Sequence, residues 1–392
     1  MNSDQAEPDS LVVDLTEIAA VLRVLEELAI AVDSTEELPA FDLGLVRLAG
    51  EEFADVDPVL AELRARFAGR CAGWTPLLGK NRRMASVFGA YPQTKSMSLW
   101  DPVALDESTA ALTFDGDAGD GVRVGLLDTR IYRHPGLAGR HIETPDDTTL
   151  FDKDAKTSYS VEEGHGVFTA GLIFGQAPGA TLVARHVLRE DGKAFAWDVV
   201  KKLAEFFDDE HRVDVLVLAS GCRNTLDGNP PAIIHRAIER LSAHVLVVAA
   251  AGNHGALEGM TSDAHITRNS ATWPAALPRV VAVGVTDADY SPDLPWVTCT
   301  VDPKQLHAQD DDSPPVFVST YLDAPEVHMH ELGGIKEFTG YASWVGTSGA
   351  AAVVGGAVAA RITPGTTAEQ ALTKLYEGSV VQPYVWPRHK SG

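Results

Sequence analysis

From Val345 to Ala360 the chain reads V-G-T-S-G-A-A-A-V-V-G-G-A-V-A-A, without a charged side chain. Side chains this small let a helix lie close against its neighbours, so the run predicts a buried central helix with Ser348 at its N-terminal end. Upstream, short apolar runs predict strands covered on both faces: V-R-V-G-L-L-D at 122–128, T-L-V-A-R-H-V-L at 181–188, V-D-V-L-V-L-A-S-G at 213–221, H-V-L-V-V-A-A-A-G-N at 244–253 and V-V-A-V-G-V at 280–285. Helical spacing occupies 195–208 and Ala232 to Leu241, and returns from Thr367 to Glu377. Strands alternating with helices predict an α/β fold with a mostly parallel central sheet, whose ligands sit at the carboxyl ends of the strands.

The first third has a different texture. Residues 11–32 place apolar side chains at three- and four-residue spacing, which predicts a helix with a broad apolar face. A second helical pattern from Pro58 to Phe67 puts Val59, Leu60, Leu63 and Phe67 on one side. Gly69, Gly73, Pro76 and Gly79 then break the periodicity. Residues 80–118 are irregular, carry Phe88, Tyr91 and Trp100, and end in an acidic turn at 115–120. The pattern predicts a smaller, mainly helical N-terminal accessory region with an extended connector over 1–118, followed by the α/β domain over 119–392. Residues 287–337 show little periodicity beyond a short strand near Val316 to Ser319, and the tail from Val381 reads as a surface strand with a frayed end.

Composition narrows the partners. At 392 residues and 45% apolar the chain can bury one large core or two moderate ones. Acids outnumber bases by 55 to 32, for a formal charge of -23, and the largest basic cluster is Lys80-Asn81-Arg82-Arg83. Nucleic acid is therefore excluded as an expected partner, since a phosphate-binding surface needs a basic patch. No run has the length of a membrane span, which excludes a membrane partner. The N-terminus lacks the basic and apolar regions of a secretory signal, and Cys71, Cys222 and Cys299 are an odd, widely spaced trio. The expectation is a soluble cytoplasmic protein.

Four polar residues stand where polar side chains are unexpected. Asp128 closes the first strand of the sheet, and His165 opens a helix of small residues after a glycine. Asn253 ends the strand V-V-A-A-A-G, and Ser348 begins the small-residue helix. Each alone has an ordinary reading as a cap, a turn residue or a satisfied core histidine. Together, at one rim of a sheet, they would supply a nucleophile, a general base, a carboxylate that fixes the imidazole tautomer and an amide donor for an oxyanion.

In order and context these segments resemble the subtilisin-like serine proteases, the subtilases of peptidase family S8. G-L-L-D-T-R at 125–130 is similar to the family's aspartate segment and H-G-V-F-T-A-G at 165–171 to its histidine segment. A-A-A-G-N at 249–253 is similar to its oxyanion segment and G-T-S-G-A at 346–350 to its serine segment, while A-T-W-P-A at 271–275 resembles the proline-containing motif that follows the asparagine. The resemblance covers about Gly121 to Tyr376 and implies a three-layer subtilisin-like fold. It also implies a serine endopeptidase with catalytic Asp128, His165 and Ser348, oxyanion donor Asn253, and pocket walls from Ala219-Ser220-Gly221 and Ala250-Ala251-Gly252. The substrate implied is a peptide or protein, which the absence of a signal suggests is a restricted intracellular precursor. The alternative is a catalytically silent peptide-binding or assembly module on the same fold.

Departures from the family pattern refine these expectations. Arg130 replaces a glycine and is a candidate partner for Glu162, Glu163 or a substrate carboxylate. Val167 and Phe168 change the packing behind His165, and Gly349 predicts a roomier site or a looser turn beside Ser348. The small, uncharged pocket walls predict an apolar residue before the scissile bond, unless His254, Cys222 or Arg223 turn inward. The N-terminal region does not resemble the compact α/β inhibitory propeptide of the family. The chemistry requires no cofactor and no metal. Calcium, which subtilases often bind, has candidate oxygen ligands at Asp115-Gly116-Asp117 and Asp310-Asp311-Asp312, though in so acidic a chain these read as solvated loops. Zinc at His328 and His330 with Glu326 and Glu331 is disfavoured, because no spacing fixes a fourth ligand.

Overall fold

The computed structural model describes residues 6–50, 55–86, 101–144, 150–151, 156–208, 210–222, 229–255, 267–292, 294–310, 312–330, 334–378 and 380–383. Phe88, Tyr91, Trp100, Arg223, Asp311, Glu331 and the tail beyond Pro383 lie outside the described residues. An eight-stranded sheet organises the larger part of the chain, in the order Val381–Pro383, Cys299–Val301, Val280–Val285, Leu246–Ala250, Val215–Leu218, Arg123–Asp128, Thr181–His186 and His141–Glu143. Neighbours are parallel throughout, except for the antiparallel edge strand Val381–Pro383. All five sheet strands expected from the apolar runs are present.

Alternate side chains of these strands enter two cores, as the two-residue period of a strand requires. Val124, Leu126, Val215 and Val217 face the helices His165–Gln176, Thr347–Ala359 and Ala368–Leu375. Leu127, Leu216, Leu218 and Val247 face the helices Ala196–Ala204 and Ala232–Leu241. The result is three layers, helix, sheet and helix. Arg123–Asp128 lies between Thr181–His186 and Val215–Leu218, so the chain reverses its direction of winding at this strand, where open α/β sheets place their ligands.

The N-terminal region corrects the helical expectation. It folds as β1 (Ala6–Asp14), α1 (Ile18–Glu27), β2 (Val32–Leu38), β3 (Leu43–Leu48), α2 (Asp57–Arg70) and β4 (Leu78–Ser86), with an antiparallel sheet in the order β4-β1-β3-β2. It is thus a compact α/β unit of the kind the sequence was not expected to contain. The cause is visible in β1, which is buried on both faces: Leu11 and Val13 pack on α1 and α2, while Val12 packs on the larger domain. A strand covered twice loses its polar alternation and merges, in sequence, with the helix that follows.

Polar and aromatic contacts tie this unit to the helices beneath it. Asn81 Oδ1 accepts from the Trp197 backbone N–H at 2.8 Å, in the first turn of Ala196–Ala204, where no side chain of the helix's own N-cap residue does so. Glu36 accepts from Trp197 Nε1 at 2.9 Å, Arg236 donates to Asp14 at 2.9 Å, and Phe41 meets Phe207 edge-on at 5.2 Å.

The segment that resisted assignment contains a long hairpin, Phe317–His328 with Ile335–Trp344, which joins Ser158–Ser160 and Val103–Leu105 in a four-stranded sheet. At its tip His330 bridges two carboxylates. Its Nδ1 meets Asp101 at 2.7 Å and its Nε2 meets Glu162, three residues before His165. Burial alone would lower the imidazole, but the hydrogen bonds it donates to Asp101 and Glu162 outweigh it and hold the group up at about 9. A raised histidine stabilises fully below its ordinary value of 6.5 and loses that contribution as pH rises through about 9. Wild type should therefore melt well above His330→Gln at pH 6, with the gap narrowing through pH 9. Thermal denaturation of both proteins across this range checks it, and a gap independent of pH would contradict the bridge.

Candidate active site

Asp128 ends its strand 1% exposed, in a dense set of donors. Its Oδ1 accepts from the Thr129 N–H at 2.7 Å and meets His165 Nδ1 at 2.7 Å, and its Oδ2 accepts from Thr169 Oγ1 at 3.0 Å. A carboxylate this well satisfied fixes the imidazole with Nδ1 as the donor and Nε2 turned away from the acid. Thr169 was not anticipated from the sequence. Its signal was the four-residue spacing from His165, which puts both on one helix face.

His165 begins its helix 1% exposed. A capping box between Ser160 and Glu163 shapes the turn before it, and Glu163 also takes Lys156 at 2.9 Å and Tyr132 Oη at 2.6 Å. Burial, with Glu163 beside it, pushes the Tyr132 hydroxyl far up, so it acts as a donor. Gly166 is required by close approach, because a Cβ there would lie 2.5 Å from the Thr129 carbonyl oxygen. Trp344, also missed in the sequence, lies edge-on to the His165 ring at 5.7 Å and limits its rotation.

Asn253 and Ser348 come together through Thr347. The Thr347 N–H and Oγ1 donate to Asn253 Oδ1 at 2.8 and 3.0 Å, and Thr347 Oγ1 accepts from the Gly252 N–H at 2.9 Å. Both contacts fall on the amide oxygen, which makes Nδ2 the donor end of Asn253. Ser348 follows in the first turn of Thr347–Ala359, 6% exposed. Gly349 leaves no roomier site: a Cβ there would lie 2.7 Å from Phe317 Cδ2, so the Phe317 ring fills the space a larger residue would take.

The expected pocket walls lie at the carboxyl ends of adjacent strands, with Leu218 paired to Ala249 just before each wall. The Ser220–Gly221 edge is occupied by the chain itself. β4 pairs antiparallel with it, Ser86 opposite Ser220 and Ala85 opposite Gly221. Its other edge pairs with Lys193–Phe195, and the Ser86 N–H donates to the Gly192 oxygen at 2.8 Å. Ala85 thus lies between two strands of the larger domain. Cys222 and His254 are both buried, Cys222 within the core that faces the helices Ala196–Ala204 and Ala232–Leu241.

Arg130 lines a cavity of about 190 Å³ with Arg189, Glu163 and Glu190. Of its expected acidic partners, Glu163 accepts from Lys156 and Tyr132, and Glu162 meets His330. Among the described residues no group of three or more His, Cys, Asp or Glu is arranged to hold a metal ion. His328 meets Ser158 Oγ at 2.8 Å, apart from the carboxylates that His330 bridges.

Comparison with known proteins places this geometry. The family model for the subtilases, Peptidase S8, matches residues 119–371. Subtilisin BL from Lederbergia lenta is 31% identical over 184 residues, 44% of this chain and 58% of that protein. A subtilisin from Bacillus sp. (strain TA39) is 27% identical over 180 residues, 43% of this chain and 40% of its own length. The chain thus spans roughly half the length of these relatives. Among solved structures, fervidolysin from Fervidobacterium pennivorans, described as a keratinolytic enzyme related to subtilisin, superposes with a TM-score of 0.63 at 18% identity, covering 99% of this chain and 59% of that one. That likeness shows the fold, and the family match over 119–371 shows that the chain belongs to the subtilase family.

Proposed function

We propose that this protein is a serine endopeptidase that cleaves peptide bonds through an acyl-enzyme, with Ser348 as nucleophile and His165 as general base. The observation that carries the reading is the buried Asp128–His165 hydrogen bond of 2.7 Å at a strand end of a subtilase fold. His165 takes the Ser348 proton as the hydroxyl oxygen attacks the scissile carbonyl, and Asp128 holds the imidazolium that forms. The Asn253 amide and the backbone N–H of Ser348 stabilise the tetrahedral oxyanion. His165 then returns the proton to the leaving amine, and water releases the acyl group by the same path.

The N-terminal unit supports a restricted enzyme. β4 satisfies the backbone groups that an extended substrate would otherwise pair with on both sides of the groove. In this reading it holds the enzyme back until it is displaced, and the physiological substrate is a specific peptide or precursor. None of the three cysteines forms a disulfide, and Cys222 and Cys299 are buried, which fits a reducing cytoplasmic setting.

A serine-directed fluorophosphonate probe tests the nucleophile. Stoichiometric labelling of wild type and none of Ser348→Ala is expected, and an unlabelled but folded wild type would overturn the proposal. Asn253→Ala should keep KM within a few-fold and lower kcat by about 10² to 10³. Steady-state hydrolysis of a peptide substrate measures this, and an unchanged kcat removes Asn253 from the oxyanion site. Ala85→Pro deletes a backbone donor of β4 between its two partners, so peptide hydrolysis by the full chain should rise several-fold over wild type. A rate at or below wild type would count against the guarding role.

A further inference from the structure

Gly252 belongs to one of the two expected pocket walls, and its surroundings are not apolar. It sits at φ 108°, and a Cβ there would lie 2.5 Å from Thr272 Oγ1 and 2.7 Å from His254 Nδ1. A hydroxyl and an imidazole therefore both abut the Gly252 Cα. The other wall reaches the same place. Cys222, the residue after Ala219-Ser220-Gly221, exchanges two backbone hydrogen bonds of 2.8 Å with Trp273, which brings Thr272 alongside.

Both side chains are out of solvent, His254 at 0% and Thr272 at 1% exposure. Among the described residues Thr272 Oγ1 has no hydrogen-bond partner. A buried hydroxyl left unmade costs about 1–3 kcal/mol, so a retained one is a polar group held ready for a partner from outside. Alanine and glycine elsewhere in the walls bring no competing charge: Ala219, Ala250 and Ala251 are all buried. Threonine can donate or accept, and an imidazole presents one donor and one acceptor when neutral, two donors when charged.

We propose that Thr272 and His254 make the primary pocket polar, and that it selects a substrate residue ending in an sp² oxygen, a carboxamide or a carboxylate, before the scissile bond. The proposal rests on the endopeptidase reading and replaces the apolar preference expected from the sequence. Selection works by mismatch. A substrate with Leu at this place would leave Thr272 Oγ1 unpaired in the complex, whereas Asn, Asp, Gln or Glu would satisfy it.

The test uses the full chain once fluorophosphonate labelling of a parallel sample has reached its plateau. It measures kcat/KM on otherwise identical peptides with Asn, Asp, Gln, Glu, Ala, Leu or Phe before the cleaved bond. Wild type should favour the best sp²-oxygen residue over Leu by about tenfold or more. The Asn/Asp and Gln/Glu pairs decide between carboxamide and carboxylate. Thr272→Val keeps the side-chain shape and should reverse the ranking towards Leu, and His254→Phe should weaken the polar preference, with labelling and melting curves showing that each variant is folded. A labelled enzyme that ranks Leu or Phe first, or a folded Thr272→Val that keeps the wild-type ranking, overturns the polar pocket and leaves the endopeptidase reading intact. A folded wild type that neither labels nor cleaves any peptide overturns the endopeptidase reading and this proposal with it.

Discussion

Backbone-to-backbone proximity around the helix Thr347–Ala359 is the constraint on which the rest of the structure depends. A Cβ on Gly356 would lie 2.6 Å from the Ile173 carbonyl oxygen of the neighbouring helix, and one on Gly355 would lie 2.3 Å from Val217 Cγ2 of the sheet. Only a helix nearly without side chains fits between these surfaces, and every residue in it is buried. Its position fixes where its first turn emerges. The helix His165–Gln176 also presents its N-terminal end to the strand end at Asp128, so the Asp128–His165 pair and the Asn253–Thr347 contact, with Ser348 next in the chain, both lie along the carboxyl rim of the sheet although they are far apart in sequence. Helix N-termini at that rim favour negative charge, which the proposed acyl transfer would develop there.

The same rim presents two strand edges, Lys193–Phe195 and Ser220–Gly221, whose backbone groups need partners. An edge of this kind binds any extended chain that can reach it. The N-terminal unit reaches it because its sheet is buried from both sides: its own helices cover Leu11, Val13 and Val46, while the larger domain covers Val12, Leu43 and Leu45. The apolar face that anchors the unit and the strand that enters the groove are parts of one sheet. Loosening either therefore changes groove occupancy, without any change in the residues at the rim.

The legible parts of the sequence were those with one simple environment. Val280–Val285 and Thr347–Ala359 are wholly buried, and their uninterrupted small or apolar runs gave nearly their observed bounds. The rim residues were legible because each interrupts such a run at its end. β1 was not, since a doubly covered strand next to an amphipathic helix leaves no break in hydrophobicity between Leu11 and Val32. The hairpin Phe317–His328 with Ile335–Trp344 was obscured differently, by register shifts after Thr320 and Ala324 that break the two-residue period. The His330 bridge joins positions 101, 162 and 330, a contact that no local spacing encodes.

The polar groups at the rim divide according to whether the fold has already satisfied them. Asp128 accepts three hydrogen bonds and the Asn253 oxygen two, all from this chain. Groups that act on every substrate alike are best fixed beforehand, because their reorganisation would otherwise add to the barrier at each turnover. Thr272 is buried, and among the described residues its Oγ1 has no hydrogen-bond partner. A group satisfied by the fold cannot distinguish one substrate from another, whereas an unsatisfied one penalises every substrate that fails to complete it. In the proposed reading chemistry and selection thus sit side by side, Asn253 beside His254, yet they draw on opposite states of the buried hydrogen bond.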